Sequence, residues 1–403
     1  MFGQRAAAMP GFGLPYATAE ELSVPEITRV SVSRSLRDCA AWWPRAGARG
    51  DARCFAFQCA DILEVWCDTI GDANRIEPAF VTVFGASGNP ALLLPLGIED
   101  RNGVRTLRFL DGGVSDYNAP VVFPEASHWG PEAVAALWTV LRRELPPFDL
   151  AMLEKMPDVV GGLNNPLSAL ATKVHAESGH AVRLVGPWET FAREHTKNPS
   201  DSRRRSRKLE KLGNVRFVIA ANAEQRADFF QAMMRMKRDK FLETKGYDVF
   251  TDPGLGEFYR EATRRLGADG PIQVSALLLD DRVLAAHWGY VADGRFYYLM
   301  PAHDSGELRS FAPGRLLNEW LLQWALDSGL KVFDFGIGDE AYKLDYCDLD
   351  MPLRDAILPV NAKGRLVAAM REVKRNAKRS LRESPLAPAL LATRNFWRGL
   401  RKP

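Results

Sequence analysis

From Ile272 to Phe335 the chain spells out a strict order of elements. Three apolar runs, IQVSALLLD, RVLAAHWGYVA and RFYYLMPA, are separated by Asp280–Asp281 and Asp293–Gly294, pairs that suit tight hairpin turns. APGRLLNEWLLQWALDSGL follows, with Pro near the first helical position and Gly329 just past the end. Its apolar stripe is Leu317, Trp320, Leu321 and Trp324. The strand Lys331–Phe335 completes a β–β–β–α–β unit, the pattern of an α/β lobe with a largely antiparallel sheet flanked by helices.

The first half repeats the theme. CADILEVWCDTIGDA (59–73) has helical spacing, and AFVTVF, PALLLPLGI and VRTLRFLD read as three strands divided by turn residues. A helix over Pro131–Glu144 and a strand in FDLAMLEKM (148–156) follow. With 403 residues there is room for two domains. The expected division is a loop-like extension over 1–50, a first lobe over 51–185, a second lobe over 186–360 and a tail over 361–403. Helices at about Ala223–Thr244 and Gly254–Leu266 precede the meander.

Composition excludes several classes. Five cysteines without a CxxC argue against a disulfide framework and a zinc site, and fit a reducing compartment. Six histidines show one five-residue spacing, His175–His180, without carboxylate or cysteine company, so no metal is expected. No apolar run has the length of a signal-peptide core or a membrane span, so a soluble cytoplasmic protein is expected. Lys363 to Pro403 holds 12 Lys and Arg against two acids, about +10, so an overall +3 leaves the body near −7.

Four places combine residue types that chemistry uses. GELRSFAPGRLL (306–317) joins a strand end to a helix start through Arg309, Ser310, Ala312, Pro313, Gly314 and Arg315. Free N–H groups and the helix dipole favour an anion there, and Gly314 permits close approach. DGGVSDYNAP (111–120) is a loop offering Asp116 and Tyr117 to a substrate, or a plain turn. Arg203, Arg204, Arg205, Arg207, Lys208 and Lys211 fall within nine residues, a solvated helix face or a phosphate contact. Last, KVFDFGIGDEAYKLDY runs from a buried strand through two glycines into clustered charges.

The order of elements resembles the GNAT acyltransferase fold. At residue level, RSFAPGRLLNEWLLQWALDSGLKVFDFGIGDEAYKLDY is similar to the late signature of GNAT-like N-acyltransferases labelled CelD, a tandem group related to the FemAB transferases. FQCADILEVW, LLLPLGIEDRNGVRTLRFLDGGVSDYNAP and SRRRSRKLEKLGNVRFVIA fit the same group, so the resemblance spans roughly residues 55–350. It implies tandem GNAT-like lobes, an acetyl-CoA or other acyl-CoA donor, and a primary amine acceptor on a saccharide or lipid-linked precursor of an exopolysaccharide or the cell envelope. The CoA pyrophosphate would lie on Arg309–Arg315, with Pro313 and Gly314 matching a Ser-Pro-Gly in which Ala312 replaces Ser. Gly338, Asp339, Tyr342 and Lys343 match a Gly-Asp-x-x-Tyr-Lys run.

Acyl transfer to an amine needs a neutral nucleophile, a stabilised oxyanion and a proton for the thiolate. Asp334 is the expected base, Tyr342 the acid for sulfur, and Lys343 the holder of a phosphate or developing charge. His287 is the alternative base because its reference pKa is near 6.5. Asp339 and Arg204 join Asp116 and Tyr117 as substrate contacts. The alternatives are an aminoacyl-tRNA-dependent FemAB-like transferase and a non-catalytic regulator that binds a nucleotide such as a cyclic dinucleotide. No DNA partner is expected. GRLVAAMREVKRNAKRSLRE in the tail places Leu366, Met370, Val373, Ala377 and Leu381 on one helical face among basic residues. It can lie on an anionic membrane with Phe396, Trp397 and Leu400 as anchor, or pack on the body.

Overall fold

The computed structural model describes residues 17–18 and 26–383. Two large sheets carry the chain, and each is built the same way. In the first, Ile27–Ser33, Glu77–Gly85, Pro90–Arg101 and Val104–Phe109 run antiparallel in sequence order, and Leu150–Pro157 returns parallel to Val104–Phe109 after the helix Pro131–Glu144. In the second, Val215–Ile219, Ile272–Leu279, Arg282–Ala292 and Arg295–Tyr297 form the antiparallel run. Val332–Ile337 returns parallel to Arg295–Tyr297 after the helix Pro313–Asp327. Each antiparallel-to-parallel return requires a crossover longer than a hairpin, and a helix packed on the sheet provides it.

Residues 1–50 were expected to be loop-like, yet Ile27–Ser33 is a strand with Ile27 and Val30 fully buried. From Val30 the sequence VSVS alternates as a strand does, with Val30 and Val32 on the core, and the register shifts between Ile27 and Arg29. A second difference concerns where the lobes divide. Gly179–Arg183, placed by sequence in the first lobe, pairs with Val332–Ile337 in the second sheet. Leu353–Pro359, placed in the second, pairs with Leu150–Pro157 in the first. Each lobe is thus completed by a strand from beyond the division at 185/186.

The apolar interior follows from strand alternation. Val274, Ala276, Trp288 and Tyr290 of the second sheet join Phe57, Trp66 and Leu63 of the first lobe in one continuous core. Phe57 stands edge-on to Tyr290 and Tyr297 with centroids 5.7 and 5.6 Å away. Leu277, Ala285, Phe296 and Phe333 face the other way, onto Leu317, Leu321 and Ala325 of the helix Pro313–Asp327. Burying each such large side chain contributes about 1.5–3 kcal/mol, so the lobes adhere through ordinary core packing. Among the described residues no helix is long and apolar enough to cross a membrane. The expected anchor Phe396, Trp397 and Leu400 lies outside the described residues.

Candidate active site at the lobe junction

Parallel pairing between Arg295–Tyr297 and Val332–Ile337 stops at Tyr297 and Asp334. Beyond that point the two chains part, and a cavity of about 660 Å³ opens between Tyr298–His303 on one side and Phe335–Ile337 on the other. Its far end is the start of the helix Pro313–Asp327. Pro313 has no N–H, and the Arg315 and Leu316 N–H groups both donate to the Ala312 carbonyl. The Gly314 N–H is then the donor of that turn left without a partner among the described residues, and Gly314 lines the cavity.

Of the six residues expected at this helix start, Arg309, Ala312, Pro313, Gly314 and Arg315 line the cavity. Ser310 does not; its carbonyl accepts from the Arg205 guanidinium. Arg315 is already engaged, donating to Glu319 at 2.9 Å and to the carbonyls of Lys197 and Asn198. Its charge anchors the basic helix Pro199–Leu209 to the cavity rim rather than waiting for a ligand. Arg309 and Lys237 are the cavity cations whose side chains meet no hydrogen-bond or ion-pair partner among the described residues. Burial lowers the Lys237 ammonium to about 8. Ala312 itself sits at φ +53, a left-handed conformation that puts its Cβ near a carbonyl.

The first lobe supplies the other end. The loop 111–120 is held by an ion pair of 2.6 Å between Lys155 and Asp111 and by Asn118, which donates to Asp111 at 3.0 Å. It is a fixed loop, and it carries Asp116 across the junction into the cavity. There an Asp116 oxygen accepts weakly from the Ile337 N–H at 3.3 Å. It comes so close to Gly336 that any Cβ at that position would overlap the carboxylate. Gly336 also has φ +72, so backbone conformation and close approach both demand glycine. Burial, reinforced by the neighbouring Asp334 carboxylate, pushes Asp116 up to about 6, with Lys155 and Lys343 opposing.

Asp334, the base expected from sequence, is in a different situation. It is 0% exposed and does not line the cavity. One oxygen accepts from Tyr117 at 2.7 Å and from the Gly336 N–H at 2.8 Å, and the other pairs with Arg295 at 2.6 Å. A carboxylate so committed is a buried tie between lobes, and Tyr117, expected at the substrate, is the other half of that tie. His287 is likewise corrected. It is 0% exposed, stacked between Phe296 and Tyr298 with centroids 5.1 and 4.8 Å away, and its pKa is pushed down to about 3 by burial. It is a neutral core histidine.

The Gly-Asp-x-x-Tyr-Lys run divides in two. Tyr342 lines the cavity, and burial raises its phenol above the ordinary range, so the O–H persists at neutral pH. Lys343 also reaches the cavity, but its ammonium spends three donors inside the chain, on the carbonyls of Gly336 and Ile337 at 3.3 and 2.8 Å and on Glu340 at 3.0 Å. It clamps the bend that seats Asp116. Asp339 accepts from His180 at 3.0 Å and lies off the cavity wall, and Arg204 pairs with Asp201 at 2.6 Å on the surface. Neither is brought to the site.

Sequence reasoning missed Arg295 and Lys237. Arg295 follows a hairpin turn and reads as an ordinary strand edge. Lys237 had a usable signal: on the helix Ala223–Lys245 it continues the stripe Phe230, Met233, Met234 and Phe241, a cation at a core position. Among the described residues no cluster of His, Cys, Asp and Glu is arranged to hold a metal ion.

This geometry can be set beside known proteins. Residues 197–344 match the model of the acetyltransferase (GNAT) domain. That segment contains the helix start, the parting strands and the Tyr342–Lys343 run, so the second lobe has a GNAT-type acyltransferase fold. Among solved structures, FemX aligns over 76% of this chain and 93% of its own at 13% identity, with a TM-score of 0.51. That likeness extends the shared fold over both lobes. A conserved protein of unknown function from Bacteroides thetaiotaomicron aligns at 11% identity over 81% and 97% of the two chains, TM-score 0.48. A tandem GNAT protein from the clavulanic acid biosynthesis pathway does so at 11% over 80% and 91%, TM-score 0.41. No curated protein matches the chain.

Proposed function

We propose that this protein is an acyl-CoA-dependent N-acyltransferase that moves an acetyl group onto a primary amine, with Asp116 as the base. One observation carries the reading. A single cavity joins the Gly314 N–H and Arg309, neither with a partner among the described residues, to a carboxyl whose pKa is pushed up to about 6, and the two ends come from different lobes.

The residues suggest a division of labour. Arg309, Lys237 and the Gly314 N–H hold the phosphate arm of the donor at the helix end; charge-assisted bonds of this kind contribute about 1.5–3 kcal/mol each. The chain from Tyr298 to Ala302 and Phe335, where the two strands part, lines the acyl arm. Asp116 takes a proton from the incoming ammonium, and the free amine attacks the thioester carbonyl. The C–N bond forms and the C–S bond breaks; the Tyr342 O–H gives its proton to the departing sulfur, and the proton that the attacking nitrogen sheds on becoming an amide returns to the Tyr342 oxygen. An amino sugar of an exopolysaccharide or envelope precursor is the acceptor suggested by the CelD resemblance.

A second reading has its own observation. The exposed cations Arg203, Arg204, Arg207 and Lys208 sit on a helix that Arg205 and Arg315 fasten to the cavity rim. Such a track suits the phosphates of a charged tRNA. Calorimetric titration with acetyl-CoA and with CoA, on the parent and on Gly314→Asp, separates the two. Micromolar binding that the variant loses supports the acyl-CoA donor. A folded protein that gives no heat with either ligand, yet binds aminoacyl-tRNA in a salt-sensitive way, would sink it in favour of the second.

A further inference from the structure

The helix Ala362–Glu383 is rooted on the body through its first turn. Asn361 caps it by accepting from the Gly364 N–H at 2.9 Å and donates to Asp149 at 2.8 Å, while Lys363 pairs with the same carboxylate at 3.0 Å. Gly364 packs so tightly on the Asp149 carbonyl that a Cβ would overlap it. Past this root, among residues 365–377, Val367 and Ala368 are partly covered and Arg371 comes within 3.9 Å of Glu154 while keeping about half its side chain exposed; the others are exposed. Leu366, Met370 and Val373 fall one turn apart on one stripe and are 63%, 63% and 69% exposed. Three large apolar residues in water on one helix face mark a contact surface.

The charge around the stripe selects the partner. Residues 362–383 contain eight Lys and Arg (363, 365, 371, 374, 375, 378, 379, 382) against Glu372 and Glu383, a net of +6. A second copy of the helix would bring +6 against +6 along the whole contact. A nucleic acid would use the cations and leave the stripe exposed. An anionic bilayer uses both, the headgroups for the cations and the acyl boundary for Leu366, Met370 and Val373. We infer that this helix docks the protein on the surface of an anionic lipid bilayer, lying in the plane of the interface. The inference does not rest on the reading of the cavity.

The test uses the full chain and vesicles of phosphatidylcholine alone or mixed with phosphatidylglycerol, read by co-sedimentation. Binding should favour the anionic vesicles at least about tenfold and weaken in high salt, as expected for several surface cations. The variant Leu366→Ser/Met370→Ser/Val373→Ser changes only exposed side chains, so its unfolding temperature should match the parent while its anionic binding falls at least about tenfold. Arg365→Glu/Lys374→Glu should fall similarly. Equal sedimentation of the triple variant and parent overturns the inference, as does equal binding to both vesicle types. Self-association that the triple variant loses, without lipid binding, would assign the stripe to a second copy instead.

Discussion

Two aspartates meet neighbouring backbone N–H groups, Asp334 that of Gly336 and Asp116 that of Ile337, and behave differently because of what surrounds them. Asp334 has Arg295, Tyr117 and a backbone N–H; Asp116 has a weak bond to Ile337 and an open cavity. Asp116→Asn should lower kcat by about a hundredfold or more, the usual worth of a general base, with little change in KM, measured by thiol release. In the parent, kcat/KM should rise with pH and level off above about 6 as Asp116 loses its proton. Stability should run the other way. A carboxyl whose folded pKa is raised favours the folded state only while protonated, so its contribution is complete below 3.8 and is lost as pH rises through about 6. At pH 7 that represents up to about 3 kcal/mol, so Asp116→Asn should unfold at a higher temperature than the parent at pH 7 and show no such gain at pH 4. Asp334→Asn should instead strand the Arg295 guanidinium and destabilise by about 3–5 kcal/mol in urea unfolding. An Asp334→Asn protein that keeps full stability while losing the pH-6 limb would return the base to Asp334. Gly336→Ala places a methyl on the Asp116 carboxylate, so turnover should fall about a hundredfold while CoA binding stays within about threefold.

At the scale of elements, the helix Pro313–Asp327 begins under strain. Ala312 caps it from the left-handed region, where an L-residue is disfavoured by about 1–2 kcal/mol. Ala312→Gly should therefore hold or raise the unfolding temperature, because the strain removed exceeds the extra freedom given to the unfolded chain, about 0.4–1 kcal/mol. A clear drop in that temperature would show that the methyl group contributes packing that outweighs the strain. The bounds of this helix and of Pro131–Glu144 were legible, since Pro opens both and the apolar stripe repeats every three or four residues. The meander was legible for the same local reason. Ile27–Ser33 was missed because only one of its faces is buried and it stands alone among turn-rich sequence. The roles of Lys343 and Asp334 were illegible because whether a charge is free or spent depends on partners such as Arg295, which lies 39 residues from Asp334. Asp116 stood on the right loop, but nothing local tells that its loop crosses to the other lobe.

For the whole molecule, the exchanged strands decide what can be separated. Residues 1–185 would lack Leu353–Pro359, and residues 186–403 would lack Gly179–Arg183, the strand beside Val332–Ile337. Each piece made alone should lack a cooperative thermal transition, and co-expression should restore a 1:1 complex with one transition. Two pieces that melt cooperatively on their own would show that the exchange is dispensable. The shared core around Phe57, Tyr290 and Tyr297 and the Tyr117–Asp334 bond point the same way.

That exchange also sets a clock on synthesis. Leu150–Pro157 emerges from the ribosome with one edge satisfied by Val104–Phe109, and the partner for its other edge, Leu353–Pro359, is made last among the described strands. At 5–20 residues per second the edge stays open for roughly 10–40 s, long enough to pair with another nascent chain. Its sequence, LAMLEKMP, places Glu154 and Lys155 in the middle of that edge and Pro157 at its end, residues that discourage such pairing until the proper strand arrives.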